Sequence, residues 1–294
     1  MYFGSVKFFK HLIVVSILLL FVGLLISTIC LSAINKNYKK QIAEEKSGVV
    51  LAQANVKEPS MQRSVSIDYQ ELYPDMYAKL PEKTIEKSKT IYLTFDDGPS
   101  DRTIEVLDIL KEKNVKATFF VTGKDSEEDR AIMKRIVDEG HTIGIHTYSH
   151  VYDDIYASVE NYLADFNKIY NLIYDATGVK PEVFRFPGGS INRYNSCDQE
   201  EITAEMTRRG FTYYDWNASS GDANSSASRS SVLTNSIQTS QNKDRIILLM
   251  HDSINKSYTV EALGEIIDYF KTQGYEFDKI TNEVRPIAFN YNDY

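Results

Sequence analysis

The chain has 294 residues and a formal net charge of −8 at pH 7. Its length suits one large α/β domain with an appendage, or two small domains. The sequence lacks a stripe of lysine and arginine residues that could follow phosphates, which argues against nucleic acid as a partner. The two cysteines, Cys30 and Cys197, are too few for a zinc site built from thiolates, and we expect both to be unpaired and without a function.

A long apolar segment lies near the N-terminus. Residues 12–34 contain no charged side chain, and about 23 helical residues are enough to cross the hydrocarbon core of a bilayer. We predict an uncleaved transmembrane signal anchor at 12–34 that follows a cytoplasmic N-terminus at 1–11. A cleaved signal peptide, with Ser32-Ala33 near the cleavage site, is the alternative. Lysines flank the segment on both sides, so charge alone does not decide its orientation.

Residues 35–87 are polar and lack a sustained hydrophobic period, which indicates a stalk. From residue 88 to residue 285 apolar runs alternate with amphipathic stretches, and a C-terminal tail follows at 286–294. The predicted strands are Ile91–Phe95, Ala117–Val121, Thr142–Ile145, Glu182–Phe186, Phe211–Trp216 and Ile246–Met250. The predicted helices are Thr103–Lys113, Glu127–Glu139, Ile155–Ala176, Glu200–Arg209, Ser228–Thr239 and Val260–Thr272. This alternation predicts an α/β domain with a parallel sheet, either closed as a barrel or open and doubly wound.

Charged or imidazole side chains follow five of the predicted strands. They are Asp96-Asp97, the histidines of His146-Thr147-Tyr148-Ser149-His150, Arg185, Asp215 with Asp222, and His251-Asp252. In (β/α) barrels the reactive residues lie at the C-terminal ends of the strands. We therefore predict that these side chains share one site.

The residue types favour a metal site. His146 and His150 are one helical turn apart, and with one carboxylate they supply three ligands, which leaves an open position as catalytic zinc requires. The zincin pattern needs glutamate after the first histidine, but Thr147 stands there, so the base must come from elsewhere. Two adjacent carboxylates resist shared ionisation unless a cation is near. Asp96 and Asp97 can thus provide one base and one ligand.

This set of motifs resembles the polysaccharide deacetylase family, also called the NodB-homology domain or carbohydrate esterase family 4. The resemblance covers roughly residues 88–285 and rests on Thr94-Phe95-Asp96-Asp97-Gly98-Pro99, His146-Thr147-Tyr148-Ser149-His150, Arg185-Phe186-Pro187-Gly188-Gly189 and Leu248-Leu249-Met250-His251-Asp252. It implies a distorted (β/α) barrel of about seven parallel strands. It also implies removal of N- or O-acetyl groups from chitin-like, peptidoglycan or xylan polymers.

The resemblance assigns roles to individual residues. Asp97, His146 and His150 would hold one divalent metal ion, with Zn²⁺ expected and Co²⁺ or Ni²⁺ as alternatives. Asp96 would be the general base for the attacking water, and Arg185 would orient and neutralise Asp96.

Further residues would complete the site. His251 would protonate the departing amine, oriented by Asp222 or, as the alternative, by Asp215. A backbone N–H near Gly188 would stabilise the oxyanion. Leu249 would help form the pocket for the acetyl methyl group, and Trp216 would line the groove or belong to the core.

Two departures from the family pattern concern the cleft. Gly188 stands where the third motif usually has tyrosine, and Ala223 stands where the fourth usually has tryptophan.

We expect a monomeric, membrane-anchored enzyme, with its domain outside the cell, that removes N-acetyl groups from peptidoglycan N-acetylglucosamine. An O-acetyl esterase acting on xylan or capsule, and a catalytically idle glycan-binding protein on the same fold, are the alternatives.

Overall fold

The structure, a computed structural model, describes residues 69–194 and 199–289. The predicted anchor at 12–34 and both cysteines lie outside these residues. Within the described ranges, none of the helices has the length and apolar character that a membrane span requires.

The strands of the described part form one parallel sheet. They are β1 (Thr90–Asp96), β2 (Thr118–Thr122), β3 (Thr142–Thr147), β4 (Val183–Phe184), β5 (Thr212–Tyr213), β6 (Ala218–Ser219), β7 (Arg245–His251) and β8 (Glu276–Asp278). Their order is β5-β4-β3-β2-β1-β7-β6, and β8 pairs with the first half of β1. Every pairing is parallel, as the sequence predicted.

The helices connect these strands. They are α1 (Asp101–Glu112), α2 (Glu127–Asp138), α3 (Tyr152–Ile155), α4 (Val159–Thr177), α5 (Gln199–Arg208), α6 (Arg229–Thr239) and α7 (Ser257–Thr272). The helix predicted at Ile155–Ala176 is divided, because Ser158 caps the N-terminus of α4 by accepting from the Asn161 N–H. Serine side chains also cap α1, α2 and α6, at Ser100, Ser126 and Ser228.

The sheet curls into an incomplete barrel. Alternate residues of β1 and β7 point to opposite faces: Leu93 and Leu248 belong to the large core under the helices, whereas Tyr92 and Ile247 belong to a smaller inner core. The inner core also includes Val183 of β4, which a flat sheet would keep far from β7. Among the described residues, β5 and β6 do not pair with each other.

The strand predicted at Phe211–Trp216 spans this opening. Only Thr212–Tyr213 of this stretch form a strand, β5, which pairs with β4. The chain then crosses the opening and pairs with β7 through β6. The C-terminal segment fills the gap: the Asp215 N–H donates to the Ile287 carbonyl at 2.8 Å, and the Tyr214 hydroxyl donates to the Val284 carbonyl at 2.6 Å. Part of the predicted tail therefore packs within the domain.

The packed domain also begins earlier than residue 88. Residues 69–87, which we assigned to the stalk, lie against it, and Met76 is buried in the large core. The buried guanidinium of Arg209 donates to the carbonyls of Tyr69, Leu72 and Tyr73 at 2.8–3.2 Å. The stalk boundary at residue 87 is therefore too late.

Candidate active site

The reactive end of the sheet is organised around the end of β1. Asp96 and His251 are Cα partners at the C-terminal ends of β1 and β7. Thr94 and Asp96 alternate with core residues and so face the barrel interior. The chain then turns sharply, with Asp97 at φ +75°, which is unusual for a residue other than glycine.

The turn brings Asp97 to the two histidines of the second motif. Asp97 Oδ1 lies 3.5 Å from His146 Nε2 and 3.3 Å from His150 Nε2. One ligand atom from each of the three residues lies within 4.8 Å of the others. Asp97 Oδ1 is buried and has no hydrogen-bond partner in the described part of the chain. A buried carboxylate oxygen without a donor, facing two imidazoles, fits a divalent metal ion.

The protonation of these groups suits metal binding. His146 Nδ1 is 2.9 Å from the Arg185 carbonyl, which can only accept, so Nδ1 carries the proton and Nε2 is free to coordinate. Burial and the neighbouring His146 lower the pKa of His150. Burial raises the pKa of Asp97, but the positive charges that His146 and His150 carry when protonated outweigh it and hold the pKa below its usual value, so Asp97 is already a carboxylate at the pH where the imidazoles become neutral. A carboxylate and neutral imidazoles are the forms that bind metals.

The loop that carries the histidines is fixed by a residue that the sequence analysis missed. The Asp165 carboxylate on α4 accepts from the Thr147 hydroxyl at 2.5 Å and from the backbone N–H groups of Tyr148 and Ser149 at 2.6 and 2.9 Å. His150 then adopts φ +57°. A carboxylate between apolar residues of an otherwise core-facing stretch was a signal that could have identified Asp165.

Asp96 forms a buried ion pair with Arg185. Arg185 Nη1 donates to Asp96 Oδ1 at 2.9 Å and to the Thr94 hydroxyl at 2.8 Å. Its Nε donates to the Tyr214 carbonyl at 2.8 Å, and its guanidinium lies 4.5 Å from the centre of the Phe120 ring. These contacts hold Arg185 rigidly, so Asp96 has one orientation and a compensated charge.

His251 is paired with Asp222, and this resolves the alternative left by the sequence. Asp222 Oδ1 lies 2.8 Å from His251 Nδ1, and Asp222 Oδ2 accepts from the His251 backbone N–H and the Thr259 hydroxyl, both at 2.7 Å. Asp215 instead accepts from the Ser190 N–H at 2.8 Å and from the Phe289 N–H at 2.7 Å. Asp215 therefore fixes the third-motif loop to the C-terminal segment.

Known proteins are similar to this chain in sequence. Residues 83–208 match the family described as polysaccharide deacetylase. A putative polysaccharide deacetylase of Bacillus subtilis, YheN, is 33% identical over 225 residues, which are 73% of this chain and 75% of that protein. The chain belongs to the polysaccharide deacetylase family.

Solved structures of this family share the fold. The catalytic domain of peptidoglycan N-acetylglucosamine deacetylase from Eubacterium rectale is 36% identical, with a TM-score of 0.66 over 71% of this chain and 96% of that domain. The Xyl-CE4 domain of a multidomain xylanase, from the hindgut metagenome of Trinervitermes trinervoides, is 33% identical, with a TM-score of 0.56 over 66% and 88% of the two chains.

In this polysaccharide deacetylase the remaining predicted site residues lie around the C-terminal ends of the strands. Gly188 is exposed at φ +77°, and no acceptor for its N–H is found among the described residues. Leu249 lies on β7 and shares the inner face with His251. Trp216 is half-buried between Phe289, 4.8 Å away by ring centroids, and the Arg185 guanidinium, 5.6 Å from its ring centre. Trp216 thus supports Arg185, and Ala223 is exposed.

Proposed function

We propose that the protein removes N-acetyl groups from peptidoglycan N-acetylglucosamine, releasing acetate. The observation that carries this proposal is the candidate metal cluster of Asp97, His146 and His150, with the Asp96–Arg185 and His251–Asp222 pairs at the same sheet edge. The Eubacterium rectale domain, which is a peptidoglycan N-acetylglucosamine deacetylase, supports the choice of substrate.

The residues divide the chemistry of amide hydrolysis between them. A divalent metal ion held by Asp97, His146 and His150 would act as a Lewis acid and would make water more acidic. Asp96, held by Arg185, accepts a proton from the water that adds to the acetyl carbonyl carbon. The exposed Gly188 N–H stabilises the charge on the carbonyl oxygen, an effect of roughly 3 kcal/mol for such a donor.

His251 acts on the nitrogen of the amide bond, which becomes the leaving group. The C–N bond breaks only when the amine nitrogen receives a proton, and an imidazolium at His251 supplies it. Asp222 keeps His251 Nδ1 engaged at 2.8 Å, which leaves Nε2 to face the nitrogen. The products are acetate and a glucosamine residue within the glycan.

Acetate release tests this proposal. We expect the full-length protein, purified in mild detergent, to release acetate from wall glycan, to lose this activity with a chelator and to regain it with Zn²⁺. The Asp96→Asn variant should reduce the rate by a factor on the order of 10²–10⁴. A zinc-loaded wild-type protein that releases no acetate would contradict the proposal and favour the idle glycan-binding alternative.

The Xyl-CE4 similarity favours an O-acetyl ester on xylan as a second candidate substrate. The same residues could hydrolyse an ester, because an alcohol leaves more readily than an amine. We propose comparing kcat/KM on N-acetylated wall glycan with kcat/KM on acetylated xylan. Acetate release from acetylated xylan without release from N-acetylated wall glycan would support the second candidate and contradict the first.

We also propose that residues 12–34 anchor the chain in the membrane and that the domain lies outside the cell. The motivation is the length of the apolar run and the external location of the wall. Protease added to intact cells from which the wall has been removed should degrade the domain, whereas a cytoplasmic marker protein should survive. A protected domain would contradict this orientation.

A further inference from the structure

Tyr152 lies at the candidate site, although it belongs to none of the motifs that define it. It begins α3 immediately after the histidine loop. Its ring meets the His150 ring edge to face, with centroids 5.4 Å apart and planes at 88°. Tyr194 and Tyr156 contact the same ring, with centroids at 4.9 and 6.1 Å. Three neighbouring rings therefore hold Tyr152 beside a candidate metal ligand.

The same ring covers Gly188. A Cβ atom placed on Gly188 would lie 3.0 Å from Tyr152 Cε1 and 3.2 Å from Tyr152 Oη. Tyr152 thus occupies the space into which a side chain at position 188 would project. Its hydroxyl lies next to the exposed backbone whose N–H faces the reacting carbonyl in the proposed function.

The separation between Tyr152 and Gly188 is fixed. The Tyr156 hydroxyl donates to the Pro187 carbonyl at 2.8 Å, and the Asn192 amide donates to the same carbonyl at 3.1 Å. Since Tyr156 also packs on Tyr152, one cluster of side chains positions both the ring and the Gly188 loop. Such preorganisation is typical of groups that bind a ligand.

The Tyr152 hydroxyl differs from the hydroxyls of Tyr156 and Tyr214. Tyr156 and Tyr214 both donate to backbone carbonyls within the domain. For Tyr152, which is half-buried, no hydrogen-bond acceptor is found in the described part of the chain. A tyrosine that presents an apolar ring and a free hydroxyl to a cleft can contact the face and the hydroxyl groups of a sugar together.

We propose that Tyr152 contacts the acetylated sugar directly and determines which glycans the site accepts. The ring forms the cleft wall between His150 and Gly188, and the hydroxyl donates to an oxygen of the sugar. This inference rests on the proposed function. It also accounts for Gly188, because a tyrosine at position 188 and the ring of Tyr152 would compete for the same space.

Sugar binding by the metal-free protein tests this contact without turnover. Full-length wild type, Tyr152→Phe, Tyr152→Ala and the control Tyr174→Ala are titrated with tetra-N-acetylchitotetraose and followed by saturation-transfer NMR. Tyr174 is a matched control because it is an exposed tyrosine on α4. We expect Tyr152→Phe to weaken binding by about 3- to 10-fold, as for one lost hydrogen bond. Tyr152→Ala should weaken binding further, and Tyr174→Ala should match wild type.

The Zn²⁺ affinity of each variant distinguishes two roles for Tyr152. In one role Tyr152 contacts the sugar directly, and in the other it only holds the candidate metal ligand His150 in place. A sugar contact predicts weaker tetrasaccharide binding with unchanged Zn²⁺ affinity. Equal losses of sugar and Zn²⁺ affinity would overturn the proposal, as would variants that bind the sugar like wild type or a wild type that does not bind it.

The two proposals can fail separately. A zinc-loaded wild type that binds the sugar but releases no acetate contradicts the proposed function and leaves the Tyr152 contact in place. Acetate release with equal KM in wild type and Tyr152→Ala supports the function and overturns the contact.

Discussion

At the scale of single residues, burial and neighbouring charges shift the pKa of His251 in opposite directions. Burial lowers its pKa, but the hydrogen bond and charge of Asp222, with the charges of Asp96 and Asp97, outweigh burial and raise the pKa to about 9. Burial raises the pKa of Asp222, and the contact with His251 brings it below the ordinary value. The pair is therefore ionic at neutral pH, and His251 is held in the form that a general acid needs.

Asp222→Asn should move the alkaline limb of the pH–rate profile to lower pH. Without the negative charge the pKa of His251 falls, so the protonated acid is lost earlier as pH rises. We expect activity at pH 8 to decrease by about 10²-fold or more. The control Asp175→Asn changes an exposed carboxylate on α4. An alkaline limb that does not move in Asp222→Asn would contradict the role of Asp222.

The same raised pKa links stability to pH in the metal-free protein. His251 binds its proton more tightly when folded, so its contribution is complete below about pH 6.5 and is lost as pH rises through about 9. We expect the difference in unfolding free energy between wild type and His251→Gln to shrink across this window. Urea unfolding at pH 6, 8 and 10 measures it. A difference that grows with pH would contradict the prediction.

Arg185→Leu should destabilise the domain by about 3–5 kcal/mol, because it leaves Asp96 buried without its partner. Removing both charges in Arg185→Leu/Asp96→Asn should restore part of this loss. Urea unfolding of the two single variants and the double variant gives the coupling energy. Additive losses would mean that the ion pair does not stabilise the fold.

At the scale of elements, the candidate metal cluster depends on two turns and one helix. Asp97 and His150 both occupy the left-handed region, at φ +75° and +57°. Such positions persist only where their surroundings enforce them. For His150 the enforcing group is the Asp165 carboxylate of α4, which binds three donors of the preceding loop.

Asp165→Asn should therefore lower metal affinity although Asp165 lies outside the ligand set. Partners that orient metal ligands typically contribute about 10- to 100-fold in affinity. Competition with a zinc-binding dye measures the change, and Asp175→Asn, on the same helix, is the control. Unchanged Zn²⁺ affinity in Asp165→Asn would show that the loop keeps its shape without this carboxylate.

At the scale of the whole domain, Arg209 attaches the N-terminal segment. It is buried, donates to Glu205 at 2.6 Å and binds three carbonyls of residues 69–73. A guanidinium that satisfies both a carboxylate and several carbonyls adds strong, charge-assisted hydrogen bonds to the few backbone bonds that this segment forms with the domain.

Arg209→Ala should reduce stability by about 3–5 kcal/mol, because Glu205 keeps a buried charge with less compensation. Protease cleavage within residues 69–78 should become faster. Arg130→Ala is the control: Arg130 lies on α2, is partly exposed and pairs with Asp125, so its loss should cost less stability. Equal cleavage rates in both variants would contradict the attachment by Arg209.

The sequence predicted that Asp96, His146 and His251 lie at the C-terminal ends of strands, because each comes at the end of a run of buried apolar residues. It did not predict the contact between Tyr152 and Gly188, since loop paths decide it. The boundary at residue 88 was wrong for a related reason. The segment before it is held by carbonyls that accept from Arg209 and by a few irregularly spaced apolar side chains such as Met76, which leave no hydrophobic period in the sequence.

The attachment of residues 69–87 shortens the tether of the proposed anchor. Between residue 34 and the packed domain, residues 35–68 can extend to at most roughly 110–120 Å, whereas a tether that reached residue 87 could span roughly 175–190 Å. The candidate site could then work only on glycan inside that smaller radius from the bilayer. An enzyme anchored in this way would act on glycan closer to the bilayer than one whose tether reached residue 87.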